Sequence, residues 1–306
     1  MGICAAAMWL LTAVLAVWEV ASRVERRHRA REERWQGAAV QQVWELLTGD
    51  DETPPSVLIA LLRRAPLTDL LARMTTATYG LYHSRMQSIV EACDLDRWLL
   101  LRARRVRGWR RAYYLKRLSE LPHRRACTMA VERYLHDPCR EVRFCALLVF
   151  LSADAEHLLR RVMAYDAPFT EVETAEVLHL LRCGVFPIAY RPLLESPSEN
   201  LCRVGLALVA QFDLTEAEPL VRGVVARSEG ALARRALYVL SALHGSLAGG
   251  EVRACVGAME AAERRHWLRY LAAEAYTPEQ VRRFCTGEER SYYERRVGSY
   301  KASLAG

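Results

Sequence analysis

Four segments of this chain repeat one apolar pattern at nearly constant spacing. EVRFCALLVFLS from Glu141, EVETAEVLHLLR from Glu171, ENLCRVGLALVAQF from Glu199 and EGALARRALYVLSAL from Glu229 begin 30, 28 and 30 residues apart. A fixed recurrence of a few tens of residues is the signature of a repeat architecture, and it constrains the fold more tightly than any local propensity. Each segment opens on a glutamate, which favours a helix N-terminus, and runs on too long for a strand. Between them lie shorter apolar helices, RRACTMAVERYL, AEHLLRRVMAY, FPIAYRPLLES and EAEPLVRGVVAR, closing near Leu135, Val162, Leu193 and Val224. One helix pair cannot bury its own hydrophobic face, whereas stacked pairs share a continuous core and expose an extended curved surface.

Composition agrees. The chain has 306 residues, 52% of them hydrophobic and 26% charged, which folds rather than staying disordered. Leu, Ala, Arg and Glu far outnumber β-branched residues, so the expectation is all-α: a solenoid of helix pairs preceded by one transmembrane helix. The organisation predicted is an anchor at 1–22, a basic juxtamembrane helix at 23–36, a helical region at 37–107, the repeat at 108–285 and a C-terminal tail at 286–306. In the helical region, helices are expected at 37–48, 56–64, 67–78, 80–93 and 95–107. They are punctuated by the acidic turn from Gly49 to Pro55, Pro66, Gly80 and the Asp94-Leu95-Asp96 cap.

The anchor rests on residues 3–20, ICAAAMWLLTAVLAVWEV, whose single charge is Glu19. Eighteen helical residues rise about 27 Å, enough to cross a hydrocarbon core of ~30 Å with help from the flanks. Only Thr12 is polar between Ile3 and Val17, so the polar stripe of an amphipathic core helix is missing. Arg23, Arg26, Arg27, Arg29, Arg31 and Arg34 follow the run, and no positive segment precedes it, which is the reverse of a secretory signal. By the positive-inside rule the N-terminus lies outside and the helical domain in the cytoplasm, as a single-pass protein of an inner membrane. A usage of 41 Arg against 2 Lys is that of a high-GC bacterium. Nine cysteines without a CxxC pair read as small core residues in a reducing compartment.

The net charge of +7 is local. Residues 23–35 carry net +3 and residues 102–117 net +8, so the remainder is net −4. The segment 102–117 holds eight basic residues and no acid, interleaved with Trp109, Tyr113 and Tyr114 and following Trp98. Three readings stay open for it: contact with anionic lipid through Arg104, Arg105, Arg107, Trp109, Arg110 and Arg111, contact with nucleic acid, or an Arg-rich solvated helix.

At Asp137-Pro138-Cys139-Arg140-Glu141-Val142-Arg143 the turn and second-helix start resemble those of HEAT repeats, in particular the short HEAT-like repeats of about 30 residues. The family pattern has an Asp in the turn and an Arg six residues on, matched by Asp137 and Arg143. The resemblance covers 108–245, with a degenerate final pair to 285. At Asp166-Ala167-Pro168 the Arg position is Thr or Glu, and at Ser196-Pro197-Ser198 the Asp is missing although Arg203 is present. What the resemblance implies is a structural ladder through Asp137 and Arg143, and a concave face whose second-helix positions Arg143, Arg203 and Arg234 are candidate partner-binding residues. It also brings an alternative, a membrane-associated nucleic-acid binder or HEAT-like enzyme of DNA glycosylase or lyase type using the basic segment 102–117. Tetratricopeptide repeats, with a longer period and Trp, Gly, Tyr and Pro marks, do not fit.

No catalytic constellation emerges. Gly245-Ser246-Leu247-Ala248-Gly249-Gly250 is not GxSxG and follows a helix, and no Lys-Ser or Lys-Thr closes it as a phosphate loop. The eight histidines form no HExxH pair, and no Cys or His spacing fits a zinc site, so neither metal nor cofactor is expected. The functional expectation is a membrane-anchored scaffold, not an enzyme, whose cytoplasmic solenoid binds a partner protein at the membrane.

Overall fold

The computed structural model describes residues 40–41, 43–49, 65–78, 82–153, 158–183 and 189–304, and every regular element among them is a helix. The expected anchor at 1–22, the juxtamembrane helix at 23–36, the helix at 56–64 and most of the acidic turn lie outside the described residues. Among the described residues no helix is long and apolar enough to cross a membrane. The chain divides into two compact units, Met1–Val149 and Phe150–Gly306.

In the first unit, residues 43–48 form a short helix that buries Val43 and Leu47, and Arg85 Nη1 donates to its terminal carbonyls at Leu47 (2.7 Å) and Gly49 (2.5 Å). Then follow α1 (Ala65–Ala77), α2 (His83–Ala92), α3 (Leu95–Arg105), α4 (Trp109–Ser119), α5 (Arg125–Val131), a 3-10 turn (Glu132–His136) and α6 (Arg140–Ala153), whose last residues enter the second unit. Leu95, Leu99 and Ala103 recur every four residues on α3 and are buried, so this face packs on α4 through Ala112, Leu115 and Leu118. Between α3 and α4 the backbone reverses at Gly108 (φ 56°, ψ −140°), a region open essentially to glycine alone.

The second unit runs through α7 (Leu158–Met163), α8 (Glu171–Cys183), α9 (Tyr190–Glu195), α10 (Glu199–Phe212), α11 (Glu218–Arg227), α12 (Gly230–Ala242), α13 (Gly250–Gly257), α14 (Ala261–Ala273), α15 (Pro278–Val281) and α16 (Gly287–Leu304). Packing sorts these helices into two layers. α8, α10 and α12 stack in one, α9, α11 and α13 in the other, and each α9–α10 and α11–α12 pair bridges the layers. The four recurrent segments from Glu141, Glu171, Glu199 and Glu229 form α6, α8, α10 and α12, and the arrangement is compatible with a helical repeat. α10 shows why such a helix is apolar nearly all round: flanked by α8 and α12 and backed by α9, it buries Leu201, Cys202, Val204, Leu206, Leu208 and Val209. Its Gly205 is what admits α9, because a Cβ there would sit 2.9 Å from Leu193 Cβ.

Polar ties hold neighbouring pairs in register. Asn200, buried on α10, accepts from the Phe169 amide (2.7 Å) and donates to the Ala167 carbonyl (2.9 Å), fixing the turn that leads into α8. That helix starts on a capping box, in which the Thr170 amide donates to Glu173 Oε2 (2.7 Å) and the Glu173 amide to Thr170 Oγ1 (3.1 Å). Arg222 on α11 reaches Glu251 on α13 (2.7 Å). The stretch expected as a C-terminal tail contains α16, packed on α14. There Tyr293 is buried, with its hydroxyl on the Tyr276 carbonyl (2.8 Å), and Glu289 pairs with Arg264 (2.8 Å).

Candidate functional site

Small residues on facing helices leave room that large ones would fill. On α10, Ala207 and Ala210 stand one turn apart beside Leu206; on α12, Ala231 and Ala242 bracket a face that also carries Arg234, Arg235 and Tyr238 at helical spacing. On α14, Glu263, His266 and Tyr270 share one face. Together with Glu171 at the start of α8, these residues line a groove of about 560 Å³ within the second unit, the size of a ligand pocket.

The groove has an apolar floor and a charged, aromatic margin. Arg235 is mostly buried and forms an ion pair with Glu171, a side chain 71% exposed. Burial pushes the Arg235 guanidinium down from its ordinary range. Arg234 lies 3.7 Å from Glu263. Tyr238 packs edge-on against Tyr270 (ring centroids 5.1 Å) and beside His266 (6.2 Å). Burial is the main cause that pushes both phenols up, Tyr270 to about 12, so both stay protonated donors at neutral pH. No serine, threonine or cysteine is among the lining residues, and His266 Nδ1 is engaged by Arg269 Nη2 (3.2 Å). What the lining offers chemically is an apolar shape, two aromatic faces and paired charges.

The candidate partner-binding arginines separate. Arg234 lines the groove. Arg203 is only 8% exposed and clamps Glu199 on its own helix (2.7 Å). Arg143, in the first unit, donates to the backbone carbonyls of Asp137 (2.9 Å) and Pro138 (3.2 Å). The carboxylate of Asp137 meets a different arginine: Arg111 Nη1 donates to it at 2.6 Å, and the Cys139 amide at 3.0 Å. The sequence pattern names the Asp and the Arg of the turn, but the side-chain ion pair runs from α4 to the turn before α6.

That contact divides the basic segment. Arg111 is engaged by Asp137 and by the Ala103 carbonyl (3.2 Å), Arg117 by Asp69 and Glu120, and Lys116 by Glu120 (3.4 Å). Tyr113 donates to Asp69 (2.8 Å), while Trp98 and Tyr114 pack edge-on at 6.4 Å. Arg104, Arg105, Arg107 and Arg110 remain exposed, and Trp109 is 71% exposed.

A second cluster is buried in the first unit. Asp96 on α3 is fully buried and accepts from Arg124 Nε (2.8 Å), the Arg124 and Arg97 amides (3.1 and 2.8 Å) and Cys127 Sγ (3.3 Å). Burial alone raises such a carboxyl, yet these donors hold Asp96 at about 2. The same burial and the neighbouring carboxylate push the Cys127 thiol up to about 12, so it is no nucleophile. Among the described residues no group of His, Cys, Asp and Glu is placed to hold a metal ion.

No protein-family model, no curated protein and no solved structure matches this chain. Fold and site thus define the class by themselves: an all-α protein of packed helix pairs, compatible with a helical repeat, with a ligand-sized groove in its second unit.

Proposed function

We propose that the protein is an adaptor: a HEAT-like solenoid, tethered to the inner membrane by residues 1–22, that docks a partner protein in the α10–α12–α14 groove from the cytoplasmic side. The observation that carries this reading is the groove itself, where four alanines on α10 and α12 open an apolar floor beside Tyr238 and Tyr270. Helical repeats commonly bind along the surface made by successive equivalent helices. The occupant that fits is an amphipathic segment, with aliphatic side chains against the alanines and a carboxylate displacing Glu171 from Arg235. The apolar run at 3–20 and the arginines that follow it support the tether and its orientation.

The test is site-specific photocrosslinking in the native host, with a photoreactive residue in place of Tyr238 or, as control, Met129, exposed in the first unit. The expected result is one protein captured from position 238 and lost on Arg235→Glu, in a membrane fraction that resists alkaline extraction. Capture that is identical from both positions, or unaffected by Arg235→Glu, refutes the groove. Release by alkali refutes the tether and leaves the groove standing.

A further inference from the structure

We infer that the α3–α4 corner, residues 104–110, is a docking site for the anionic headgroups of a lipid bilayer. The inference does not rest on the groove, and it shares with the adaptor reading only the nearness of a membrane.

The corner is built to hold cations together. Gly108 lets the chain reverse within Val106–Gly108, and the Arg111 side chain ties the start of α4 to the Ala103 carbonyl at the end of α3 (3.2 Å). Arg104 and Arg105 at the end of α3, Arg107 in the turn and Arg110 at the start of α4 are thereby confined to one corner, and no acid occurs between Arg97 and Ser119. Among the described residues none of these four has a carboxylate partner.

The helix dipole explains only half of this. Arginines in the last turn of α3 face its negative end and are stabilised there. Arg110 stands in the first turn of α4, where a cation is disfavoured and no acid is present. Trp109 beside it is exposed, with Arg110 over its ring at 5.4 Å. An indole with an apolar body and one N–H donor suits the headgroup layer, and surrounding arginines supply attraction to anionic lipid.

The aromatic residues decide against nucleic acid. Single strands bind by stacking successive bases on successive aromatic faces along a basic track. Here Trp98 and Tyr114 pack on each other, Tyr113 is hydrogen-bonded to Asp69, and Trp109 alone is left open in this segment.

The experiment is limited trypsin digestion of the full chain on vesicles, reading cleavage after Arg105 and Arg107 by mass spectrometry. Vesicles of phosphatidylcholine alone are compared with vesicles containing about one-third phosphatidylglycerol. The expected result is cleavage about tenfold slower on the anionic vesicles, with protection lost as salt rises from about 0.1 to 0.5 M. Trp109→Ala and Arg110→Gln should each weaken it, the latter about fivefold at about 1 kcal/mol per surface arginine, whereas Arg253→Gln in the second unit should not. Both positions are exposed, and an unchanged circular dichroism spectrum confirms that the variants fold. Equal cleavage on the two vesicle types overturns the inference, as does protection by a single-stranded oligonucleotide that vesicles do not match. Flotation with the neutral vesicles reports separately on the 1–22 tether.

Discussion

Replacing Arg124 by Met tests the physical account of the first unit most severely. The substitution keeps an apolar stem and removes the guanidinium that faces a fully buried carboxylate, Asp96. In the native chain Asp96 titrates at about 2, below its ordinary value of about 3.9 in an unfolded chain. Protons therefore bind the unfolded chain preferentially as pH falls. The carboxylate contributes about 2.5 kcal/mol of stability above pH ~4, which disappears between pH ~4 and ~2. Without Arg124 the carboxylate keeps its burial and the two amide donors but loses the strongest contribution that lowers it. Breaking one partner of a buried pair costs about 3–5 kcal/mol, and the surviving amide donors place the expected loss near the lower end. The acid limb of the stability curve should flatten in the variant. Adding Asp96→Asn should recover part of the loss, because an amide is neutral in the same cavity. Urea unfolding at pH 7, repeated from pH 5 to 2, gives the global numbers. Hydrogen exchange of the α3 and α5 amides localises the effect, which matters in a chain of two units. A loss below about 1 kcal/mol with an unchanged acid limb refutes the account.

Three further outcomes follow from packing and backbone. Gly205→Ala gains helix propensity but drives a Cβ into Leu193 and Leu194, so a net loss of about 1–3 kcal/mol is expected in the urea midpoint; a gain would mean that α9 retreats freely. Asn200→Ala removes two bonds from the 167–169 turn and should cost about 2–3 kcal/mol, with faster hydrogen exchange confined to 166–171. Ala275, left-handed at φ 60° after α14, with the Tyr276 amide closing on the Leu271 carbonyl, asks for glycine. Ala275→Gly should be neutral to stabilising by up to about 1 kcal/mol, read as a higher Tm, and a lower Tm contradicts the strain argument.

The fold was legible where one physical signal dominates. A helix that buries a broad face must carry apolar residues through every turn of it, which is why α6, α8, α10 and α12 announce themselves by recurrent long apolar runs from Glu141, Glu171, Glu199 and Glu229. Their shorter partners were legible in place but not in extent, because α5 passes into a 3-10 turn at Glu132, which local composition does not encode. The α16 helix is hard to see in sequence because its apolar residues are few: it packs on α14 and α15, and buried Tyr293 is held by the Tyr276 carbonyl beyond the end of α14.

The sites were less legible because each is made by what neighbouring elements do with the same residue type. Arg111, Arg117 and Arg110 are indistinguishable in a count of basic residues. Yet Asp137 lies 26 residues beyond the first and Asp69 48 residues before the second, and these distant acids take two of the three out of the surface charge. Among the described residues the third has no carboxylate partner, and α4 begins without an acid that could supply one. The groove was hidden for a complementary reason. Alanine on a helix reads as propensity or as core, and Ala207, Ala210, Ala231 and Ala242 become an opening only when two stacked helices present them to the same space. A sequence marks a cavity by the side chains it omits, and the omission acquires meaning from the stacking that the 30-residue period already implies. The useful signal is therefore a small residue recurring on the exposed edge of consecutive second helices, read together with the charged and aromatic residues one turn away.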